Sequence, residues 1–278
     1  METLNTDQYN YWDGDAGLVW VRHQMRLDQL MRPLTQALLN AVGDTSNLAV
    51  LDLGCGCGDT SLALVERGAR VVGVDLSSPM LARASERSGD VYNPKFIQAD
   101  GAAYKVAEPV DLIFSRFGSM FFQSPVEAFT HLREQLKPGG RLLLGCWQSP
   151  ADNPWMSVGG RAIAPFLPSL GAANDPRAPG PFAFSDPIYV TDILTTAGFH
   201  SIEFESVRET LLVAEDVDSA VDFQCELGPA ARAFKQLPRD VVQSALDAMK
   251  SALGPFATNH GVEMSGSIWA IKAVNPQH

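Results

Sequence analysis

Short apolar runs alternate with amphipathic segments through the first half of the chain. The apolar runs, rich in Leu and β-branched residues, occupy positions 48–53, 70–75, 95–98, 110–115 and 141–147. Helical periodicity fills the intervals between them, at 59–67, 79–88 and 125–136. Strands that alternate with helices at this spacing predict a parallel sheet with helices on both faces. Because the strands are apolar on both sides, burial of both sheet faces is expected.

The pattern changes in the second half of the chain. After a helical segment at 187–197, residues 201–213 and 262–274 alternate in polarity, which predicts an antiparallel pair at the sheet edge. Residues 148–186, before this helical segment, are rich in Pro and Gly. Residues 217–260, between the two alternating runs, have the pattern of broken helices. We interpret both as lid insertions. The predicted fold is α/β: a Rossmann-like doubly wound sheet, mostly parallel with an antiparallel C-terminal edge pair, plus a helical lid.

The N-terminal segment is amphipathic from residue 16 to residue 42. One helical face carries Trp20, His23, Gln24 and Leu27, at i, i+3, i+4 and i+7. Pro33 is expected to break this segment into two helices. Residues 1–42 are therefore predicted to form an N-terminal helical cap on a domain of residues 43–278. The alternative is that the segments outside the sheet only cover its hydrophobic edges.

Composition and charge exclude several classes of partner. With 32 acidic against 21 basic residues, the 278-residue chain has a formal net charge of -11. Nucleic-acid binding needs clustered basic side chains, so neither nucleic acid nor an anionic membrane is expected as a partner. The apolar runs are too short to span a bilayer. Four cysteines without a disulfide framework predict a cytoplasmic protein, and the Cys55-x-Cys57 pair lacks the second ligand pair of a zinc site.

A glycine-rich turn follows the first strand and opens a helix. Residues 52–58 have the sequence DLGCGCG, which lets the backbone approach a ligand closely at a helix N-terminus. A dinucleotide could use such a turn, but Asp52 and Asp59 bracket this one, and the third glycine of G-x-G-x-x-G is missing. Carboxylates repel a pyrophosphate and attract a ligand that carries an ammonium and a sulfonium.

Two further acids end the second and third strands. Asp75 closes the run VVGVD, where a carboxylate can accept hydrogen bonds from both hydroxyls of a ribose. Asp100 follows FIQA, in position to accept from an adenine amino group. A single acid of this kind is usually a loop cap or a solvated charge. Three acids at successive strand ends favour an adenosine-containing ligand.

These motifs resemble the class I S-adenosylmethionine-dependent methyltransferases, in their ubiquinone/menaquinone-methyltransferase-like branch. The matching segments are VLDLGCGCG, VVGVDLS, FIQADGA, VDLIFSRFGSMFF and LKPGGRLLL, which occur in that order over residues 50–148. The resemblance implies S-adenosyl-L-methionine as cofactor, with the glycines at its methionine end and Asp75 at its ribose. It implies adenine contacts around Asp100 and a pocket wall after the fourth strand. The cofactor-binding residues predicted in this way are Asp52, Gly54, Gly56, Asp75, Leu76, Asp100, Gly101, Ala102, Ser115, Arg116 and Phe117.

Methyl transfer from a sulfonium is an in-line displacement, so positioning and exclusion of water supply most of the catalysis. A base is needed only where the acceptor holds its proton tightly. Of the five histidines, His23 and His260 are the candidates, although a lone histidine is more often structural. No catalytic metal is expected. An apolar acceptor pocket is predicted from Trp20, Trp147, Trp155 and Met156, which could equally be core residues of the lid.

The predicted function is therefore that of an enzyme, a methyltransferase acting on a small organic molecule. Two alternatives stay open: an NAD-type oxidoreductase, and a non-catalytic module that binds an adenosine ligand. The residues leave open whether oxygen, nitrogen or carbon accepts the methyl group, and whether the chain forms a homo-oligomer.

Overall fold

The strands assemble into one sheet that organises the whole chain. The computed structural model describes residues 5–89, 93–167 and 175–277, and within these ranges the sheet has eight strands. They are β1 (Ala49–Leu53), β2 (Arg70–Asp75), β3 (Lys95–Gln98), β4 (Val110–Arg116), β5 (Leu136–Trp147), β6 (His200–Ala214), β7 (Ala257–Thr258) and β8 (Gly261–Val274). The order is β3-β2-β1-β4-β5-β8-β6, with β7 paired to β8.

The direction of the strands confirms the predicted fold class. β1 to β5 run parallel, whereas β8 lies antiparallel to both β5 and β6. The strand order reverses between β1 and β4, because β2 and β3 lie to one side of β1 while β4 and β5 lie to the other. In an open sheet of this type, ligands bind at the carboxyl ends of the strands at that reversal. The glycine turn after β1 lies there.

Eleven helices in the described ranges cover the sheet and its C-terminal edge. They are α1 (Thr6–Trp12), α2 (Asp15–Arg22), α3 (Gln24–Val42), α4 (Asp59–Glu66), α5 (Ser78–Ser88), α6 (Pro125–Glu134), α7 (Pro154–Ile163), α8 (Pro187–Thr196), α9 (Val217–Glu226), α10 (Pro229–Phe234) and α11 (Val242–Leu253). No helix in the described part of the chain is long and apolar enough to cross a membrane.

The prediction that Pro33 breaks the N-terminal segment is wrong. α3 continues through Pro33, and the break lies instead at His23, between α2 and α3. A proline inside a helix leaves the carbonyl four residues earlier without its donor. That residue is Gln29, which is exposed, so water can hydrate its carbonyl. Buried neighbours on both sides, Leu30 and Leu34, hold the helix against the core.

α3 is part of the core rather than part of a cap. Its inward face is at most 3% exposed and consists of Leu27, Leu30, Met31, Leu34, Leu38, Leu39 and Val42. It packs against β6 and β8, and Leu38 lies directly against Gly145 of β5. Of the predicted cap at 1–42, only α1 and α2 therefore lie outside the hydrophobic core. Residues 1–4 of that segment lie outside the described residues.

The two predicted lid insertions pack on each other. α7, from the first insertion, contacts α10 and α11 of the second, and α9 packs beside α11. Gly159 lets α7 approach α9, because a Cβ at that position would collide with the side chain of Gln224 on α9. Residues 168–174 of the first insertion lie outside the described residues. These insertions also contact the edge pair: α7 packs against β8, and α9 packs against β6 and β8.

Candidate functional site

The glycine turn after β1 forms the floor of a cleft. Gly54, Gly56 and Gly58 have φ angles of 66°, 53° and 83°, in the left-handed region that favours glycine. A Cβ at Gly54 would lie 2.8 Å from the Cα of Gly118, so the turn touches the loop that follows β4. The two loops on either side of the strand-order reversal therefore meet.

Asp52 lies behind this turn. Its side chain is fully buried, and its Oδ2 accepts hydrogen bonds from Thr60 Oγ1 at 2.7 Å and from Ser61 Oγ at 2.6 Å. Its Oδ1 is buried and has no partner among the described residues. Burial raises the pKa of the Asp52 carboxyl to about 6. Asp52 does not line the cleft, so its position does not support direct contact with a cofactor.

Asp75 ends β2 and faces the cleft. Its Oδ2 accepts from the backbone N–H of Gly56 at 2.8 Å, and its Oδ1 accepts from the backbone N–H of Ser77 at 2.9 Å. Each oxygen keeps a further acceptor site, which can serve the two hydroxyls of a ribose. Burial raises the pKa of Asp75. The carboxylate thus ties the glycine turn to the start of α5 and also lines the cleft.

Asp100 also lines this cleft. Its Oδ1 accepts from Asn5 Nδ2 at 2.9 Å and from the Ala102 backbone N–H at 3.0 Å. Its Oδ2 is buried without a hydrogen-bond partner in the described part of the chain. A buried carboxylate oxygen without a donor is costly. A ligand amino group, such as the one on adenine, would satisfy it.

A cluster of paired charged side chains also lies at the cleft. Arg116 donates to Asp59 Oδ2 at 2.6 Å, and Arg87 lies 2.8 Å from Asp28 Oδ2. Asp28, Asp59 and Arg116 all line the cleft. Burial raises the pKa of Asp28, and the negative charge of Asp59 adds to this effect. Acids and an arginine together match the ammonium and carboxylate of an amino acid.

The cleft has a volume of about 970 Å³ and brings most of the predicted cofactor residues together. Gly54, Gly56, Asp75, Leu76, Asp100, Gly101, Arg116 and Phe117 line it. Asp52, Ala102 and Ser115 do not. Ser115 is buried, and its hydroxyl donates a hydrogen bond to the Leu53 carbonyl at 2.9 Å. This bond links β4 to the residue that precedes Gly54 and so stabilises the glycine turn.

Sequence reasoning missed several residues of the cleft lining: Asn5, Gln8, Asp28 and Met80. A signal existed for Asp28, which continues the helical face of Trp20 and Gln24 by one more step.

A second, larger cleft of about 1610 Å³ adjoins the first. The two share Trp12, Trp20, Phe117 and Phe121. All four residues of the predicted acceptor pocket line it: Trp20, Trp147, Trp155 and Met156.

The aromatic rings form the wall between the two clefts. Phe117 stacks on Trp147 with a centroid distance of 4.0 Å, and Trp12 lies edge-on to both Trp20 and Phe121. Phe117 holds a φ of 65°, unusual for a residue with a Cβ, and its backbone N–H donates to the Gly145 carbonyl at 2.9 Å. Such backbone strain is typical of residues that the surrounding structure positions for function.

Neither candidate histidine lines a cleft. His260 is exposed in the turn between β7 and β8. His23 is largely buried at the junction of α2 and α3, where its Nε2 lies 2.8 Å from Glu226 Oε2. Glu226 does line the second cleft. A catalytic role for either histidine stays a prediction.

The sequence matches a known family over the strands that build this site. Residues 50–140 match the family described as "Methyltransferase domain". The demethylmenaquinone methyltransferase of Clavibacter sepedonicus is 30% identical over 189 residues, which cover 65% of this chain and 76% of that protein. The chain belongs to the class I S-adenosylmethionine-dependent methyltransferases. The resemblance to this family is thereby confirmed, as are the enzyme class and the cofactor.

Two other similar proteins are named for different methyl acceptors. The methyltransferase is 38% identical to trans-aconitate 2-methyltransferase of Azoarcus over 144 residues, 47% of this chain and about half, 55%, of that protein. Phosphoethanolamine N-methyltransferase 2 of Haemonchus contortus, solved with S-adenosyl-L-methionine, superimposes with a TM-score of 0.59. That likeness has 19% identity, covers 100% of this chain and 61% of the other, and shows the fold alone.

The first cleft of the methyltransferase fits S-adenosylmethionine on three observations. The glycine turn leaves room at the strand-order reversal, Asp75 offers two acceptor atoms, and Asp100 Oδ2 lacks a donor. We propose that Asp75 holds the ribose, that Asp100 holds the adenine amino group, and that Asp28, Asp59 and Arg116 hold the methionine end.

Cofactor affinity is expected to rise with pH. Burial raises the pKa of Asp52 to about 6, so much of this carboxyl is protonated near pH 5.5, and burial also raises the pKa values of Asp75 and Asp28. A cationic ligand favours the ionised acids, so its binding releases protons and strengthens as pH rises. Each pKa unit of coupling changes affinity about tenfold. Calorimetry between about pH 5.5 and about pH 7.5 should show this for S-adenosylmethionine and less for S-adenosylhomocysteine, which lacks the sulfonium. Equal pH dependence for both ligands would contradict the prediction.

Proposed function

We propose that the methyltransferase transfers the methyl group of S-adenosylmethionine to a small, mostly apolar molecule that binds in the second cleft. The observation that carries this proposal is the shared aromatic wall. Trp20 and Phe117 line both clefts, so a ligand in one lies beside a ligand in the other. Two reactants held side by side react as if in one molecule, which is the main source of catalysis in a displacement.

The lining of the second cleft indicates the acceptor class. It is mainly aromatic and aliphatic, and among its described side chains the charged ones are Asp15, Glu226 and Lys235. Trp147 and Trp155 meet edge to face at 5.3 Å and extend the stack begun by Phe117. Flat apolar ligands bind well against such rings. A tricarboxylate such as trans-aconitate would need several free cations, and the described side chains of this cleft offer one lysine against two acids.

The chain's own residues account for positioning and for exclusion of water. When bound, S-adenosylmethionine supplies an electrophilic methyl group on a sulfonium. The face of Phe117 stabilises positive charge beside it by cation–π attraction. Trp12 and Trp20, contributed by α1 and α2, cover the point where the clefts meet. Removing water there strengthens the electrostatic contacts and prevents hydrolysis.

An acceptor screen tests the proposal. Transfer of labelled methyl from S-adenosylmethionine should be detected with apolar aromatic compounds that carry a hydroxyl or amino group, and not with trans-aconitate. Tyr11→Ala, which changes an exposed residue of the second cleft, should raise the acceptor KM and leave cofactor affinity unchanged. Leu18→Ala, on the outer face of α2, is the matched control. Transfer to polycarboxylates alone would contradict the proposed acceptor class.

Turnover is expected to survive a chelator. The sulfonium already activates the methyl group, so this displacement does not need a Lewis acid to activate the methyl donor. Assays with EDTA, with and without added magnesium, should give the same rate. Activity lost with EDTA and restored by magnesium would show that the acceptor chemistry differs from the one proposed.

A further inference from the structure

A histidine–carboxylate pair lies at the edge of the second cleft. His23 Nε2 and Glu226 Oε2 are 2.8 Å apart, and Arg22 Nη1 lies 3.6 Å from the same oxygen. The His23 side chain is 16% exposed, whereas that of Glu226 is 49% exposed. The two residues come from distant parts of the chain: the junction of α2 with α3, and the end of α9. The edge of the second cleft therefore carries a carboxylate that a neighbouring element holds in place.

Glu226 presents an ionised, partly unused carboxylate. The hydrogen bond from His23 lowers the pKa of Glu226, so the group is an anion at neutral pH. An anionic carboxylate only accepts hydrogen bonds, so the imidazole Nε2 must be the donor. His23 and Arg22 both approach Oε2, which leaves Oε1 without a hydrogen bond in the described part of the chain.

The charges around this pair are mixed. Arg22 and Arg26 lie on the side of α2 and α3, while Asp222 and Glu215 lie near Arg26 on the side of α9. Among the described side chains that line the cleft, Asp15 and Lys235 are the other charged ones. Arg26 is occupied by the carbonyls of Val213 and Ser219, at 3.0 and 3.1 Å. Among the described side chains, a ligand that reaches Glu226 therefore meets a carboxylate oxygen rather than an unpaired arginine.

A second polar group of the same cleft lacks a partner. Trp155 lines the cleft, is 5% exposed, and its indole N–H has no hydrogen bond among the described residues. Buried donors of this kind are normally satisfied, because an unmade hydrogen bond costs more than a formed one contributes. The lining of the cleft thus includes one unsatisfied donor, on Trp155, and two acceptors without a hydrogen bond among the described residues, Glu226 Oε1 and the buried Gln224 Oε1.

We infer that Glu226 is the residue that selects the acceptor: it binds a hydrogen-bond-donating group, a hydroxyl or an amine, on an otherwise aromatic or aliphatic molecule. His23 positions the Glu226 carboxylate and does not touch the acceptor. This inference rests on the proposed function, since it places the acceptor in the second cleft. It names the feature by which that cleft distinguishes one apolar compound from another.

Repulsion makes the selection sharper than attraction alone. A donor group on the ligand forms a charge-assisted hydrogen bond with Glu226, whereas a carboxylate in the same place meets a like charge. Specificity is a difference between two affinities, so both effects add. Because the site is partly screened by solvent, we expect the combined discrimination to be about tenfold to about a hundredfold.

Three probes with the same ring system test this inference: 2-naphthol, 2-naphthylamine and 2-naphthoate. Calorimetry on the full chain, with and without S-adenosylhomocysteine, should show that the naphthol and the naphthylamine bind at least about tenfold more tightly than the naphthoate. In Glu226→Gln the difference should shrink to about twofold, because the like-charge penalty disappears. His23→Gln should weaken the two donor probes several-fold, since Glu226 loses its fixed position.

Glu203→Gln is the matched control, an exposed acid on β6 that lines neither cleft. It should leave all three affinities as they are in the native chain, and S-adenosylhomocysteine should bind every variant equally. Unchanged discrimination in Glu226→Gln would overturn the role of Glu226 alone. If none of the three probes binds the native chain, the apolar acceptor cleft of the proposed function fails, and this inference fails with it.

Discussion

Removal of residues 1–22 is expected to lower turnover by about a hundredfold or more while the remaining chain stays folded. This truncation deletes α1 and α2 and keeps α3. It removes Trp12 and Trp20, which belong to the wall shared by both clefts. Without them water enters the point where methyl donor and acceptor meet, and the acceptor loses one side of its pocket. The measurement is the rate of methyl transfer at saturating cofactor.

Specific contacts hold α1 and α2 over the cofactor cleft. Asp13 Oδ1 accepts from both the backbone N–H and the hydroxyl of Ser78, each at 2.7 Å. Asn5 bridges Asp100 and the backbone N–H of Gln123, at 2.9 and 2.7 Å. Asp13→Ala should therefore reproduce part of the truncation effect. Asp7→Ala, an exposed acid on α1, is the matched control and should leave turnover unchanged.

Loss of α1 and α2 is expected to cost much less stability than loss of α3. α1 buries none of its own residues and α2 buries only Gly17, so loss of both should shift the melting temperature by a few degrees. Extending the deletion to residue 42 also removes α3, with seven aliphatic side chains that are at most 3% exposed. Losing even one such side chain costs about 2–5 kcal/mol. The longer deletion should not fold. Turnover within a few-fold of the native chain after removal of 1–22 would show that the cap is only structural.

Elements with the same pattern of burial along their whole length were predicted well from the sequence. Strands β1, β2 and β4 are buried on both faces, so their apolar runs have clear ends, and the predicted bounds differ from the observed ones by at most one residue. The alternation in β6 and β8 likewise identified the antiparallel edge pair. α3 was predicted less well, because a local rule about Pro33 competed with burial of the flanking leucines, and burial decided the outcome.

The site was predictable to the extent that it follows from strand ends. Asp75 is the last residue of β2, and Asp100 lies two residues after the end of β3. Parallel strands bring their carboxyl ends to one edge, so the proximity of the two acids follows from the order of the elements. The pairing of His23 with Glu226 spans 203 positions and joins two helices outside the sheet. Neither periodicity nor motif spacing carries information about such a contact. The same reason explains why Asn5 was missed, since only its bond to Asp100 places it in the cleft.

The second large effect is expected from Asp75→Ala, which should weaken the binding of S-adenosylmethionine at least tenfold. Asp75 lies in the cofactor cleft with one free acceptor site on each oxygen. Hydrogen bonds to a charged acceptor contribute about 1.5–3 kcal/mol each, and two ribose hydroxyls would be lost together. The same change frees the Gly56 and Ser77 backbone N–H groups, which loosens the glycine turn and the start of α5. Calorimetry with the folded variant gives the dissociation constant.

The comparison of ligands decides what Asp75 does. If it holds the ribose, Asp75→Ala should weaken S-adenosylmethionine, S-adenosylhomocysteine and adenosine by similar factors, because all three carry the same two hydroxyls. If it acts mainly as a negative charge, the sulfonium compound should lose much more than the other two. Asp192→Ala, an exposed acid on α8 that lines neither cleft, controls for the change in net charge. A folded Asp75→Ala variant with an unchanged dissociation constant for all three ligands would rule out ribose binding by Asp75, because a buried carboxylate that accepts from both hydroxyls cannot be removed without cost.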